Sequence, residues 1–156
     1  MTNKAARIVV DADACPVKQE IADTARAFSV PVLLVASYDH LLEPEPGVEI
    51  KQVDRSSQSV DLYISNLVGP GDIVVTQDFG LATVALAKRA VVLSNRGQRY
   101  TDGTIDFLME RRHEQAKTRR GGGRTKGPKA MTAEDRARFQ QKLTKVLAGM
   151  QENSEP

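Results

Sequence analysis

Aromatic side chains are scarce in this chain, at 4% of residues with no tryptophan. A surface that stacks successive bases on aromatic rings is therefore a poor expectation. A single cysteine, Cys15, excludes an internal disulfide framework. No apolar run approaches the roughly 20 residues that span a bilayer, so no membrane contact is expected. Residues 1–7 lead straight into an apolar stretch without a signal-peptide pattern, and a cytoplasmic location is expected. The two histidines, His40 and His113, pair with no nucleophile in the pattern and are read as structural.

What is present suits one globular domain. With 156 residues, 40% hydrophobic and 27% charged, the chain can bury a single core but not two. The expected layout is a single domain over residues 1–150 and a frayed tail over 151–156. The net charge of +2 conceals an asymmetry. Residues 111–129 hold eight basic side chains against one acid, a segment charge of +7 that leaves the rest of the chain at −5. An acidic body with a basic arm results.

Residues 7–11 read as a buried β-branched strand ended by acids. Pro16 suits the first turn of a helix, and Val17, Ile21, Ala25 and Phe28 then mark one helical face. Residues 31–36 form a second strand, 37–47 a loop with Pro44, Pro46 and Gly47, and 48–53 an alternating, half-exposed strand. A helix over 57–68 is stopped by Gly69-Pro70-Gly71. A buried strand over 72–76, a short helix over 81–88 and a strand over 90–94 follow. Asp102-Gly103 opens a helix reaching about His113. Residues 116–130, with Gly121-Gly122-Gly123 and Gly127-Pro128, are expected to be mobile. Thr132 starts a last helix, with Asp135 three residues on imitating a capping box, and Phe139, Leu143, Val146, Leu147 and Met150 form its apolar stripe. Alternating strands and helices predict an α/β fold: a three-layer α/β/α sandwich on a mostly parallel five-stranded sheet. An order of 3-2-1-4-5 would make the first and fourth strands neighbours whose connections leave in opposite directions.

That order would explain two acidic signatures, Ile8-Val9-Val10-Asp11-Ala12-Asp13 and Asp72-Ile73-Val74-Val75-Thr76-Gln77-Asp78. Each ends an apolar strand in carboxylates, and open α/β sheets bind ligands at strand carboxyl ends. Oxygen donors without His or Cys partners suit Mg²⁺ or Mn²⁺, ions that serve phosphate chemistry. Asp11, Asp13 and Asp78 are candidate ligands and catalytic groups, Asp61 could complete the pocket, and Thr76 could position a phosphate or a water. Against this, Asp at strand ends commonly caps helices or makes turns, and Asp54 and Asp72 are read that way.

The stretches Val10-Asp11-Ala12-Asp13-Ala14-Cys15-Pro16-Val17-Lys18, Val75-Thr76-Gln77-Asp78-Phe79-Gly80-Leu81-Ala82, Asn95-Arg96-Gly97 and Tyr100-Thr101 resemble the YaiI/YqxD family of uncharacterised bacterial proteins. The resemblance runs from Arg7 to about Leu147. That family is similar to PIN-like domains, metal-dependent nucleases with an α/β/α sandwich. Carried onto this sequence, the resemblance implies roles for Asp11, Asp61 and Thr76-Gln77-Asp78, the match in the central helix being the loosest. No settled activity comes with the family.

The basic segment could hold a polyanion through phosphate contacts, with Arg119, Arg120, Arg124 and Lys126 as candidates; the bland alternative is a solvated linker. Arg96 and Arg99, after the fifth strand, read either as phosphate clamps or as surface charges. Asn95 reads either as an outer ligand or as a turn residue. Cys15 at a helix start could be a stabilised thiolate, although a small core residue is favoured. Three functions remain in view. The favoured one is a Mg²⁺/Mn²⁺-dependent nuclease acting on RNA or single-stranded nucleic acid. The second is a haloacid-dehalogenase-like phosphatase using Asp11, Asp13, Thr76 and Lys88. The third is a non-catalytic RNA-binding module.

Overall fold

The structure is a computed structural model, and the residues described are 6–37, 43, 45–54, 57–122 and 130–154. Runs of β-branched and aliphatic residues form the centre of one sheet: β1 (Arg7–Asp11), β2 (Val32–Ser37), β3 (Val48–Val53), β4 (Asp72–Val75), β5 (Val91–Leu93) and β6 (Arg99–Tyr100). The helices are α1 (Lys18–Ala27), α2 (Ser57–Leu67), α3 (Phe79–Ala87), α4 (Asp102–Arg120) and α5 (Ala133–Ser154), and a 3-10 turn, Ala12–Ala14, follows β1. The strand order is β3-β2-β1-β4-β5-β6. All pairs are parallel except β5 with β6. The expected order thus holds across its five strands, and a sixth short strand adds an antiparallel edge.

The pleat sorts side chains to two faces. Ile8, Val10, Leu34 and Val75 pack with Ile21 and Ala25 of α1 and with Phe139, Leu143 and Leu147 of α5. Val9, Leu33, Val35 and Val74 pack with Val60 and Ile64 of α2 and with Leu81, Ala82 and Ala85 of α3. Both faces of the sheet are covered, so its central strands are apolar throughout rather than alternating. At the start of β4, Asp72 is fully buried. It accepts from Arg7 Nε (3.0 Å) and from the backbone N–H of Gly69 (2.9 Å). It is therefore a structural anchor at the amino end of the sheet.

The departures from expectation have local causes. α3 starts at Phe79 because the Asp78 carboxylate caps it, accepting from Leu81 N at 2.9 Å. α4 runs seven residues past His113 to Arg120, through part of the stretch expected to be mobile, and stops only at the glycines. Residues 123–129 of that stretch lie outside the described residues. The capping box at α5 is present: Thr132 N donates to Asp135 Oδ2 and Asp135 N donates to Thr132 Oγ1, each at 3.1 Å. α5 continues into the segment expected as a frayed tail, as far as Ser154, and Gln151 Nε2 donates to Phe28 O (3.1 Å) at the end of α1.

Gly97 lets α5 approach the β5–β6 turn. Its φ of +82° is in the left-handed region, and a Cβ there would lie 2.9 Å from Lys142 Cγ and 3.2 Å from Phe139 Cα.

Candidate active site at the carboxyl edge of the sheet

β1 and β4 are adjacent and parallel, with Val10 opposite Val75. The next residues along, Asp11 and Thr76, therefore emerge side by side at the carboxyl edge. α1, which follows β1, covers one face of the sheet, and α3, which follows β4, covers the other. This is the switch point at which doubly wound sheets open a crevice.

A chain of hydrogen bonds runs across that crevice. Thr76 Oγ1 donates to Asp11 Oδ2 at 3.0 Å and accepts from Asp78 N at 3.0 Å. Thr76 is buried, so its hydroxyl is held in place by both partners. Asp61 reaches the same place from α2 and lies beside Asp78, close enough for the two carboxyl groups to hydrogen-bond when one of them is protonated. Burial, the charge of Asp78, that hydrogen bond and the charge of Asp11 together push the Asp61 carboxyl up to about 7. Asp11 is also raised, first by burial, against the lowering effect of the Thr76 bond, then by the charges of Asp13 and Asp78.

Asp13 is close enough to Asp11 to be felt electrostatically. Its Oδ1 accepts from Ser37 N at 2.9 Å, which ties the turn after β1 to the end of β2. The four candidate carboxylates are thus brought to one edge from β1, the following turn, α2 and the β4–α3 junction. Among the described residues, no three His, Cys, Asp or Glu side chains already form a set that could hold a metal ion. Asp11 and Asp78 instead meet through Thr76, and Asp61 lies near enough to feel the charges of both.

The other candidates separate. Asn95 is buried beyond β5, and its backbone N–H donates to Gln77 Oε1 (2.9 Å). Gln77 thereby ties the β4 end to the β5 end, a role that nothing in its polar, loop-like position signals. Arg96 is paired with Asp135 Oδ2 at 2.9 Å and so anchors the start of α5 beside the crevice. Arg99 is exposed on β6. Arg120 is exposed at the end of α4, and Arg119 belongs to the same helix. Arg124, Lys126 and the side chain of Arg119 lie outside the described residues.

Lys88, the charge clamp of the phosphatase reading, is at the C-terminal end of α3 and donates to Ser65 O. The nine residues of α3 separate it from Asp78, about 15 Å from one Cα to the other at roughly 1.5 Å per residue, and its ammonium is engaged by α2. Cys15 is buried, and burial pushes its thiol up to about 11. A buried, raised thiol fits the reading of Cys15 as a small core residue. Lys18, from the same sequence signature, donates to Cys15 O at 2.6 Å and so supports the entry to α1.

Residues 9–149 match the family described as "Uncharacterized BCR, YaiI/YqxD family". The chain belongs to the YaiI/YqxD family. A "UPF0178 protein" of Bacillus pumilus is 49% identical over 90% of this chain and 86% of its own length. One from Bacillus velezensis is 47% identical over 95% and 89%. One from Halalkalibacterium halodurans is 44% identical over 90% of each. No solved structure matches the chain. The matched residues include the carboxylates of both acidic signatures, all of α4 and most of α5. No helix among the described residues is long and apolar enough to cross a membrane.

Proposed function

We propose that this protein is a Mg²⁺- or Mn²⁺-dependent phosphodiesterase acting on RNA or single-stranded nucleic acid in the cytoplasm. The observation that carries the reading is the meeting of Asp11, Asp61 and Asp78, with the Asp61 carboxyl raised to about 7 by its neighbours. Like charges crowded to that degree favour either a proton or a cation between them. An all-oxygen donor set suits a hard divalent ion. When bound, such an ion would polarise a phosphate oxygen and acidify a bound water.

The residues divide the remaining work. Asp11, Asp61 and Asp78 would hold the ion. Thr76 keeps Asp11 oriented through its hydroxyl, and Asp13 adds negative charge while fixing the loop after β1. With no ion bound, the Asp61 carboxyl titrates near neutral pH, so a proton and a metal ion would compete for it. The basic side chains between residues 111 and 129 would meet the phosphate backbone, with strong salt dependence and little sequence preference.

Calorimetric titration with Mn²⁺, run beside an RNA cleavage assay, tests this on the wild type and on Asp11→Asn with Asp78→Asn. Metal binding and metal-dependent cleavage lost together in the double variant support it. An RNA-binding module is the second reading, favoured by the absence, among the described residues, of a side-chain set ready to hold a metal. It expects RNA binding to persist in the double variant, with no cleavage by either protein.

A further inference from the structure

α2 and α3 differ from the other helices in charge. Four of the ten residues of α1 and seven of the 22 of α5 are charged. Among the 11 residues of α2 and the nine of α3 only Asp61 is, and it turns to the crevice. A helix face left in water normally carries charge. Here the outer sides carry two exposed aliphatic side chains instead, Leu62 at 63% and Val84 at 39%.

Both belong to one surface. At 3.6 residues per turn, Leu62 falls opposite the buried Val60 and Ile64 and points away from the sheet, with exposed Asn66 one turn on. On α3, Leu81, Ala82 and Ala85 are buried, which leaves Thr83, Val84 and Ala87 outside. Lys88, one turn beyond Val84, donates to Ser65 O of α2. The Val84 side of α3 is therefore the side next to α2. Each helix follows a strand of the parallel part of the sheet, so the two run the same way. Leu62 and Val84, each the sixth residue of its helix, stand at similar height.

We propose that the outer face of α2 and α3 is a self-association surface, through which two copies pair about a two-fold axis and cover Leu62 and Val84. The occupant follows from charge. The described side chains of this face offer no cation to nucleic acid and no ion-pair partner to a charged protein. A second copy brings the same uncharged face, and a two-fold uses it twice. Depletion of charge is also what marks the centre of protein interfaces. The helices are about 16 and 13 Å long and pack roughly 8–10 Å apart. Two such faces would bury on the order of 600–1,000 Å² in total, the small end of specific interfaces, which suits a concentration-dependent equilibrium. Pairing of this kind is independent of the nuclease reading.

Sedimentation equilibrium of the full, nucleic-acid-free chain tests it. The wild type is expected to pass from 17.1 kDa to twice that mass with concentration. Its dissociation constant should not rise with salt, because no ion pair closes the interface. Leu62→Lys and Val84→Lys should each weaken pairing about tenfold or more, since each would bury an unpaired ammonium. Asn66→Lys, one turn beyond Leu62, carries the same test should circular dichroism show either variant unfolded. Lys145→Glu, exposed on α5, should pair as the wild type does. A wild type that stays at 17.1 kDa at every concentration overturns the proposal and leaves the face to a different protein. Folded lysine variants that pair like the wild type, or a dissociation constant that rises about tenfold with salt, overturn it as well.

Discussion

Replacing Asp61 with asparagine should stabilise the protein at neutral and alkaline pH when divalent ions are absent. The Asp61 carboxyl is raised from 3.8 to about 7, mainly by burial and then by Asp78 and Asp11. A raised acid binds its proton more tightly folded than unfolded, so stability falls as pH climbs from about 4 to about 7. The unscreened shift of about 3 units would correspond to roughly 4 kcal/mol at 1.36 kcal/mol per unit. Asp61 is only half-buried, and solvent screening reduces that to about 1–2 kcal/mol. Asparagine keeps a donor for Asp78 and removes the titration. Urea unfolding at pH 5 and pH 8 in the presence of a chelator provides the comparison. The variant should gain on the wild type between the two pH values, and added Mn²⁺ should close the gap by stabilising the wild type more. A difference between the two proteins that does not change with pH would refute the reasoning, since it would mean that the Asp61 carboxyl is not raised by burial and by its neighbours. A destabilised resting state of this kind is expected where charge is gathered for function.

Other expectations concern the frame around the site. Phe139→Ala removes a fully buried ring from the α5 face of the core and should cost about 3–5 kcal/mol in urea unfolding. Leu62→Ala, on an exposed surface, should stay within about 0.5 kcal/mol. Gly97→Ala meets both the positive φ and the α5 backbone, and should destabilise by more than the roughly 1 kcal/mol of an ordinary left-handed alanine, read as a lowered melting temperature. Cys15 should resist a thiol reagent in the native protein and react fully in denaturant. Rapid native labelling would show that its pocket opens.

Much of the frame was legible because it depends on local pattern. Apolar runs marked β1, β2 and β4, and alternation marked β3. Thr132 and Asp135 announced the start of α5 through their spacing. Sequence alone does not prove the strand order, but 3-2-1-4-5 is an arrangement that would bring Asp11 and Asp78 together. β6 was not legible: two residues carry no periodicity, and Arg99–Tyr100 pairs only because Gly97 turns the chain back onto β5. The length of α4 was hidden because a basic, glycine-flanked stretch resembles a linker until its backbone is seen. Long-range partners were also out of reach. Arg96 finds Asp135 across 39 positions. The approach of Asp61 to Asp78 depends on how α2 settles against the sheet. Both carboxylates could be named from sequence, but their closeness to each other could not.

The most direct test of the central claim is Mn²⁺ calorimetry across pH, on the wild type and on Asp11→Asn with Asp78→Asn. The wild type should bind with an affinity that rises through pH 7, as the proton held by Asp61 is displaced, and the double variant should show no binding. Equal binding in both proteins, or none in either, would contradict a metal site at this edge and leave the acidic crevice as structure alone.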